Sequence, residues 1–415
     1  MIVRAMADLS PSGTTARSRR WFLGLGAALG SALAACRAKQ APPPVEPRAL
    51  GAPISPYGSR SRFEKPLRFF RPTTIPEEAS SRTPLHDTYG IITPSSLHFE
   101  RHHGGVPDID PSGHTLTIHG LVDRPLVFSV DELKRLPSVS RILFLECSGN
   151  SASEWKGANE PDVQRAHGLT SCSEWTGVWL SRLLRECGAQ PKGTWILAEG
   201  ADACKLARSL PIAKAMLDVL VAYGQNGEAL RPEQGYPLRL IVPGWEGNVN
   251  VKWLRRIKVL DQPAMTRWET SKYTDLLADG TARQFTFDMD AKSVITRPSG
   301  GDTLAGPGIY EVTGLAWSGR GAIARVEVSA DGGRSWTNAI LQEPVLPRAH
   351  ARFTWSWHWD GHDAILQSRC TDDTGYVQPP RTDLVAVRGV NSNYHNNAIQ
   401  SWMVAADGKV TNGNA

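Results

Sequence analysis

The chain has 415 residues, of which 41% are hydrophobic and 21% are charged, and its formal net charge is +5. This length is enough for two or three domains with cores of their own. The Lys and Arg residues form no dense block, so the composition argues against a nucleic-acid-binding protein.

The N-terminus predicts an export signal. Ser18-Arg19-Arg20-Trp21-Phe22-Leu23 begins a short Gly/Ala-rich apolar segment, LGLGAALGSALAA. An adjacent Arg pair with a weak apolar core is typical of a twin-arginine signal, and the segment is short for a membrane span. A Sec signal or a short anchor is the alternative. We therefore expect a periplasmic protein whose twin-arginine signal occupies residues 1–36.

Leu33-Ala34-Ala35-Cys36 has two interpretations that the sequence leaves open. It fits a lipobox, in which Cys36 would be lipidated, and it equally fits a small-residue cleavage site. The Pro-rich stretch APPPVEPRALGAPISP follows and predicts an extended linker. Residues 37–84 are therefore assigned to a linker and an N-terminal extension.

Residues 85–284 predict an α+β domain, because short helices alternate with strands. One helix is predicted after an N-cap at Asp131, and another over TGVWLSRLLRECG (176–188), which has helical spacing and a terminal Gly. The predicted strands are TLTIHGLV (115–122), RILFLEC (141–147), TWILAEG (194–200) and PLRLIVPG (237–244).

Residues 285–408 predict an all-β sandwich of roughly a hundred residues. Short alternating runs such as YEVTGLAWSG are separated by Gly, Pro and Asp turns. SADGGRSW places a Gly-Gly pair between two such runs, which indicates a β-hairpin.

Six cysteines are present, at 36, 147, 172, 187, 204 and 370. The sequence contains no CxxC pair and no CxxCH, which argues against a zinc cluster or a c-type haem. Disulfides cannot be assigned from the sequence. Core packing is the expectation for Cys172, Cys187, Cys204 and Cys370.

Cys147 stands apart because it ends an apolar strand and is followed at once by Ser-Gly-Asn, in FLECSGN (144–150). A lone thiol is most often structural, but strand ends are where ligands bind in domains of this kind. A soft thiolate suits a soft or high-valent metal, whereas a nucleophilic Cys needs a nearby His that the sequence does not identify.

Three stretches together resemble the molybdenum-cofactor domain of the sulfite oxidase family. They are FLECSGN, LRPEQGYPLRLIVPGWEGNVNVKWLRRI (230–257) and SKYTDL (271–276). GLAWSGRGAIARVEVSADGGRSW through LVAVRGVNSNYHNN is similar to the family's immunoglobulin-like dimerisation domain. The resemblance covers about residues 85–405 and is closest to the bacterial sulfane (sulfite) dehydrogenases.

The resemblance implies roles for particular residues. Cys147 would ligate molybdenum, and Arg101 in HFERHHGG would lie near the substrate-facing oxygen of the metal. Tyr273 would donate a hydrogen bond in the active site, and Arg388 would add a second positive charge to the anion pocket. Without the resemblance, Arg101 would be interpreted as part of a surface turn, Tyr273 as a loop tyrosine and Arg388 as an arginine at a domain interface.

The resemblance also implies a molybdenum–molybdopterin cofactor and the residues that bind it. Gln234 replaces a histidine of animal and plant relatives, and His102 replaces an asparagine, so the contacts of both need testing. Arg255 and Arg256 are weaker candidates for the phosphate end. The implied cofactor-binding residues are His102, His103, Cys147, Asp202, Gln234, Arg239 and Lys252.

The implied activity is oxidation of carrier-bound sulfane sulfur or of sulfite, with electrons passed to a c-type cytochrome. The sequence contains no dinucleotide fingerprint between a strand and a helix. The implied partners are that cytochrome, a sulfur-carrier protein and a second copy of the chain, with a heterotetramer as a further arrangement. The alternatives are a periplasmic molybdenum-dependent sulfoxide reductase, a plant-type nitrate reductase and a non-enzymatic secreted Ig-like binding protein.

Overall fold

The structure is a computed structural model that describes residues 50–277 and 279–413. The predicted signal and Cys36 lie outside the described residues. Contacts between residues of the chain divide the protein into two compact units, residues 1–64 and residues 65–415. The described part of the first unit, residues 50–64, contains no helix or strand.

The second unit begins with the elements of an α+β region, which include one short helix at each of several strand ends. In chain order they are β1 (Phe69–Arg71), β2 (Ser80–Arg82), β3 (Glu100–Arg101), β4 (Thr115–Gly120), β5 (Leu126–Ser129), α1 (Val130–Arg135), β6 (Val139–Glu146), α2 (Val163–His167), β7 (Thr170–Trp179), α3 (Leu180–Glu186), β8 (Trp195–Gly200), β9 (Ala207–Pro211), α4 (Ile212–Leu217), β10 (Leu220–Gln225), β11 (Glu228–Ala229), β12 (Arg239–Ile241), β13 (Leu254–Leu260), α5 (Arg267–Thr270), β14 (Asp275–Leu276) and β15 (Ala282–Arg283).

The second unit continues with a region made almost entirely of strands. Its elements are β16 (Lys292–Arg297), β17 (Gly308–Trp317), β18 (Ile323–Ser329), β19 (Thr337–Asn338), β20 (Ile340–Leu341), β21 (Ala351–Trp359), β22 (Ala364–Asp372), α6 (Arg381–Arg388), β23 (Ser401–Val404) and β24 (Val410–Gly413). Short 3₁₀ turns connect the elements of the unit, at Pro76–Glu78, Leu85–Asp87, Ser95–Leu97, Ala152–Lys156, Pro232–Gln234 and Gly247–Val249.

The α+β region is built on two five-stranded sheets. One has the order β5-β4-β13-β8-β9, in which β4 and β13 are parallel. The other has the order β11-β10-β7-β6, with β12 also paired to β10. Leu116, Leu180, Ile196, Leu240 and Ile257 belong to one fully buried core that joins the two sheets and the helices. Burial of these side chains is the main source of stability.

The predicted strands of this region are confirmed, and β12 is shorter than predicted. Two helix predictions need correction. The N-cap of α1 is Ser129 rather than Asp131, because Ser129 and Glu132 form a reciprocal capping box. The first residues of 176–188 extend β7, since Trp179 pairs with Leu220, and only Leu180–Glu186 is helical.

The β-rich region is the expected sandwich. A sheet with the order β16-β17-β21-β20 packs on a sheet with the order β19-β18-β22-β23-β24. Trp317, Phe353, Trp359 and Trp402 are buried in its core. The predicted hairpin is present, because Val328 of β18 pairs with Thr337 of β19. Helix α6 was not predicted.

The core of the sandwich continues into the α+β region. Phe144 of β6 and Cys172 of β7 belong to the same buried cluster as the sandwich residues. Both regions therefore lie within one compact unit, and the boundary at residues 284 and 285 stays a prediction. No helix among the described residues is long and apolar enough to cross a membrane.

Candidate functional site

A pocket of about 650 Å³ opens where the ends of several elements of the α+β region meet. Nine of the ten predicted site residues line it, although they are spread over 170 residues of sequence. The lining residues are Phe99, Arg101, His102, His103, Cys147, Asp202, Leu206, Gln234, Arg239, Gly247, Asn248, Asn250, Lys252, Trp253 and Tyr273.

Cys147 lies directly after β6, at the point where the strand turns into the Ser-Gly-Asn segment. Its N–H donates to Leu169 O at 2.9 Å, and its carbonyl accepts from Asn150 N at 2.8 Å. A Cβ at Gly247 would lie 2.8 Å from Glu146 O, so glycine there permits close packing of two pocket segments. The backbone around the thiol is therefore fixed from both sides.

The chemistry of Cys147 fits a metal ligand better than a free nucleophile. Burial raises the pKa of its thiol, and the backbone of Gly149 and the charge of Arg101 oppose that rise. A neutral thiol is a poor nucleophile, whereas a bound cation would deprotonate it. Among the described residues no cluster of three or more His, Cys, Asp or Glu side chains could hold a metal ion.

Lys252 and Arg239 are pocket cations that have no carboxylate within ion-pair distance. Arg239 is 5% exposed, its Nη1 donates to Gln234 Oε1 at 2.9 Å, and its Nε has no partner. Burial lowers the pKa of Arg239 to about 9 and also lowers that of Lys252. Buried cations without anions are costly, so this end of the pocket is suited to a phosphate-bearing group.

His102 lies between Lys252 and Glu100 and contacts both. Lys252 Nζ donates to His102 Nδ1 at 2.7 Å, and His102 Nε2 is 2.7 Å from Glu100 Oε2. Burial and then the charge of Lys252 lower the pKa of His102 to about 2, so its imidazole is neutral. This places the proton on Nε2, where it is donated to Glu100.

His103 and Tyr273 form a second polar pair in the pocket. Their Nε2 and Oη atoms are 2.6 Å apart. Burial, followed by Arg101, lowers the pKa of His103 to about 3, and burial raises the pKa of Tyr273. Both groups are therefore neutral, and a hydrogen bond joins them.

Tyr273 has a left-handed backbone with φ of 51°, which is strained for a tyrosine. Three contacts hold it there. Its N–H donates to Tyr394 Oη at 3.3 Å, its ring lies 5.5 Å from that of Tyr394, and the guanidinium of Arg208 lies 5.1 Å from its ring. Sequence reasoning missed Arg208 and Tyr394, which come from β9 and from the segment after α6.

Arg101 ends β3 and points its guanidinium at backbone carbonyls. Its Nη1 donates to Glu78 O at 2.8 Å and also to His102 O. It has no ion pair with a described carboxylate, so its charge remains available in the pocket.

Asp202 and Gln234 are both engaged with the protein. Asp202 accepts from Leu206 N at 3.1 Å and from Cys204 Sγ at 2.7 Å, and burial and Asp202 raise the pKa of Cys204 to about 12. Gln234 Nε2 donates to Phe99 O at 3.0 Å. The expectation of core packing holds for three of the four other cysteines, whereas Cys204 is only half-buried.

Arg388 is not among the described residues that line the pocket. It is buried at the end of α6, and its Nη2 lies 3.4 Å from Asp290 Oδ2. Asp290 also accepts from Arg320. The weaker candidates Arg255 and Arg256 both pair with Glu199 and lie outside the pocket lining as well.

Two family models match the chain in succession. "Oxidoreductase molybdopterin binding domain" matches residues 103–268, and "Mo-co oxidoreductase dimerisation domain" matches residues 283–402. The first match covers most of the residues that line the pocket, and the second covers most of the sandwich.

Individual proteins of the same family are also similar to this chain. The crystal structure of a sulfane dehydrogenase, SoxCD from Paracoccus pantotrophus, is 47% identical with a TM-score of 0.87, over 89% of this chain and 96% of that chain. Mitochondrial sulfite oxidase of Rattus norvegicus is 32% identical over 74% of this chain and 61% of its own. An NADH nitrate reductase of Ulva prolifera is 32% identical over 65% of this chain and 35% of its own. The chain thus spans about a third to three fifths of the length of these two curated relatives.

Proposed function

Because the chain belongs to the sulfite oxidase family of molybdopterin oxidoreductases, we propose that it oxidises sulfane sulfur held on a carrier protein. Free sulfite is the second candidate substrate. The observation that carries the proposal is the pocket itself, which brings one thiol, one unpaired arginine and a neutral His–Tyr pair together with cations that lack anions.

The pocket residues divide into cofactor-holding and substrate-facing groups. The residues present fit a molybdenum–molybdopterin cofactor, which supplies two-electron oxygen-atom transfer when bound. Cys147 would ligate the metal, and Arg239 and Lys252 would hold the phosphate end. His102, Asp202 and Gln234 would contact the pterin, with His102 as a neutral acceptor or donor.

The substrate-facing side is formed by Arg101, His103 and Tyr273. Each two-electron step adds one oxygen atom from water to the substrate sulfur and releases two protons and two electrons. Arg101 would orient the anionic sulfur, and the neutral pair of His103 and Tyr273 would take up and pass on a proton at Nε2 and Oη. Electrostatic placement by fixed donors is typically the largest protein contribution in such a site.

The preference for sulfane sulfur rests on sequence similarity and on charge. The sequence identity to the sulfane dehydrogenase is 47%, whereas the identity to the sulfite oxidase is 32%. Arg388, which would offer a second charge to a sulfite dianion, is not among the described residues that line the pocket and lies 3.4 Å from Asp290. A carrier-bound persulfide has a single negative charge, which one free Arg101 satisfies.

The electrons would leave one at a time to a c-type cytochrome, and the sandwich would hold two copies of the chain together. The match to the dimerisation-domain model supports an oligomer and argues against a sulfoxide reductase that lacks a sandwich.

Export by the twin-arginine route and a periplasmic location complete the proposal. If that route is used, the double substitution Arg19→Lys and Arg20→Lys should retain the protein in the cytoplasm.

Substrate choice is tested with molybdenum-loaded protein and oxidised cytochrome c. A persulfidated cysteine peptide should reduce the cytochrome rapidly, and sulfite should do so at least about tenfold more slowly. The Cys147→Ser variant is the control for cofactor-independent reduction. Faster turnover of sulfite than of the persulfide would contradict the proposal and leave free sulfite as the substrate.

A further inference from the structure

A short segment after α6, residues 393–396, contacts both parts of the chain that carry the principal pocket residues. These parts are the Cys147 turn, residues 147–151, and the Tyr273 segment, residues 271–276. We refer to residues 393–396 as the connecting segment. It lies within the range matched by the dimerisation-domain model, and none of its four residues, all of which the structure describes, lines the pocket.

Asp275 attaches the first half of the connecting segment to the Tyr273 segment. Its Oδ1 accepts from Asn393 N at 2.9 Å and from Tyr394 N at 3.2 Å. Asp275 is 4% exposed, so these hydrogen bonds are shielded from water. In the opposite direction, Tyr273 N donates to Tyr394 Oη at 3.3 Å. The two segments therefore hold each other through three hydrogen bonds.

The second half of the connecting segment binds the Cys147 turn. His395 N donates to Ser148 O at 2.8 Å, and Asn396 Nδ2 donates to Ser151 O at 3.1 Å. His395 and Ser151 both have left-handed backbones, with φ of 58° and 63°. Such conformations are uncommon outside glycine and persist where surrounding contacts hold them. The hydrogen bonds between the turn and the connecting segment are contacts of that kind.

The two attachments are adjacent in the chain. Tyr394 bonds to the Tyr273 segment. The next residue, His395, bonds to the Cys147 turn, and Cα atoms joined by a trans peptide are about 3.8 Å apart. A covalent link of this length fixes the two parts of the pocket relative to each other. Reacting groups need such support, since a displacement of about 1 Å can slow a reaction about a hundredfold.

The imidazole of His395 adds a further connection. Its Nε2 lies 3.2 Å from Glu246 Oε2, and Glu246 Oε1 accepts from Arg208 Nη2 at 3.1 Å. The guanidinium of Arg208 lies 5.1 Å from the ring of Tyr273. His395 therefore reaches the Cys147 turn through its backbone and the ring of Tyr273 through its side chain.

We propose that the connecting segment positions the hydroxyl of Tyr273 relative to Cys147, with Tyr394 and Asp275 as positioning residues. Neither residue touches the substrate, and both act through Tyr273. The second region of the chain thereby completes the site from outside the pocket. The attachment itself rests on the hydrogen bonds described above, whereas its effect on catalysis rests on the proposed function.

Tyr394→Phe tests the attachment, because it removes the hydroxyl that accepts from Tyr273 N and keeps the ring. Tyr376→Phe is the matched control, since Tyr376 Oη accepts from Asn397 Nδ2 at 3.1 Å, one residue beyond the connecting segment. Amide hydrogen exchange of the peptide that covers residues 271–276 is measured by mass spectrometry on molybdenum-loaded protein. Exchange at Tyr273 should be about tenfold faster in Tyr394→Phe and unchanged in Tyr376→Phe.

Turnover of a persulfidated cysteine peptide with oxidised cytochrome c separates positioning from general destabilisation. In Tyr394→Phe, kcat should fall about tenfold while KM stays within about twofold, at equal molybdenum content. In a Tyr273→Phe background, the same substitution should change kcat by less than about twofold, because the hydroxyl that it positions is absent. A merely structural effect would lower kcat equally in both backgrounds.

Asp275 provides a second pair of variants. Asp275→Ala removes the acceptor of two N–H groups, so kcat should fall about a hundredfold. Asp275→Asn keeps an oxygen at Oδ1 and should recover most of this loss. Molybdenum content is measured in both variants, so that a loss of cofactor is distinguished from a misplaced Tyr273.

Unchanged hydrogen exchange in Tyr394→Phe overturns the proposal, and so does an equal loss of kcat in the two Tyr273 backgrounds. If exchange accelerates as expected but the wild type oxidises neither persulfide nor sulfite, the attachment stands and the proposed function fails. If turnover is normal in both Tyr394→Phe and Asp275→Ala, the proposed function stands and the positioning role fails.

Discussion

Two groups of cations at the site differ in their partners. Arg208 lies against the ring of Tyr273, 3.1 Å from Glu246 and 3.4 Å from Glu269, and all three side chains are buried. In the pocket, Arg239 and Lys252 have no ion pair, although burial lowers the pKa of both. The protein therefore pairs the cations that hold its fold and leaves unpaired those that face the pocket.

This difference separates structural charges from binding charges. Removing one member of a buried ion pair leaves the other charge without a partner, whereas an unpaired cation is already unfavourable and gains a partner only when an anion binds.

The largest effect is expected for Cys147→Ser. Turnover should fall to below about one hundredth of wild type, because serine is a much poorer ligand for a soft or high-valent metal. The melting temperature should change little, since the backbone contacts of this residue do not use the sulfur. Wild-type turnover in the loaded variant would disprove the metal-ligand role.

Arg208→Met tests the paired group. It leaves two buried carboxylates, Glu246 and Glu269, without their cation, so the free energy of unfolding should fall by about 3–5 kcal/mol in urea denaturation. Arg325→Met is the control, because its ion pair with Glu327 is half-exposed and should contribute less than about 1 kcal/mol. Equal losses in the two variants would remove the distinction between the groups.

Lys252→Met tests the unpaired group. Molybdenum content should fall at least about tenfold, because the cofactor phosphate loses a charge-assisted contact. The free energy of unfolding of the cofactor-free protein should stay the same or rise, since an unpaired, partly buried charge is replaced by an apolar side chain. Lys258→Met on the exposed face of β13 should change neither quantity. A large loss of stability in Lys252→Met would make the lysine structural.

The smallest effect is expected for a half-buried pair far from the pocket, His86 with Asp302 at 3.1 Å. The hydrogen bond to Asp302 raises the pKa of His86 despite its burial. Burial alone would raise the pKa of Asp302, but the hydrogen bonds from His86 and Ser299 hold it below the usual value.

The pH dependence of this pair follows from those two directions. The His86 contribution is complete below about pH 6.5 and is lost as the pH rises through the raised pKa. The Asp302 contribution is present above about pH 4 and is lost as the pH falls through its lowered pKa. His86→Gln should therefore lower the melting temperature most between these limits. A difference that grows towards alkaline pH would contradict the assignment.

The sequence predicted the parts of the site that carry local signals. Cys147 follows an apolar strand before a turn, and Arg239 and Lys252 lie within one long motif, so pattern and resemblance together identified them. The strands at 115–122, 141–147 and 194–200 were likewise visible as short apolar runs bounded by turns.

The remaining features depend on contacts between distant segments. Arg208 is recognisable only once Glu246 and Glu269 surround it. Arg388 was expected in the pocket, but its guanidinium contacts Asp290, which lies 98 residues away in the sequence. The apolar spacing of 176–188 continued from a strand into a helix, and pairing with β10 decided where one ended. Local pattern contains no information on such pairing.

The most direct test of the account is the cofactor content of the folded protein. Wild type should be purified from a host that makes molybdopterin, and molybdenum and pterin should be measured per chain, alongside a variant carrying Arg239→Met and Lys252→Met. The account predicts close to one of each per wild-type chain and neither in the folded variant. A folded wild-type protein without either, or a variant that keeps both, would contradict the claim that the unpaired pocket cations bind the cofactor.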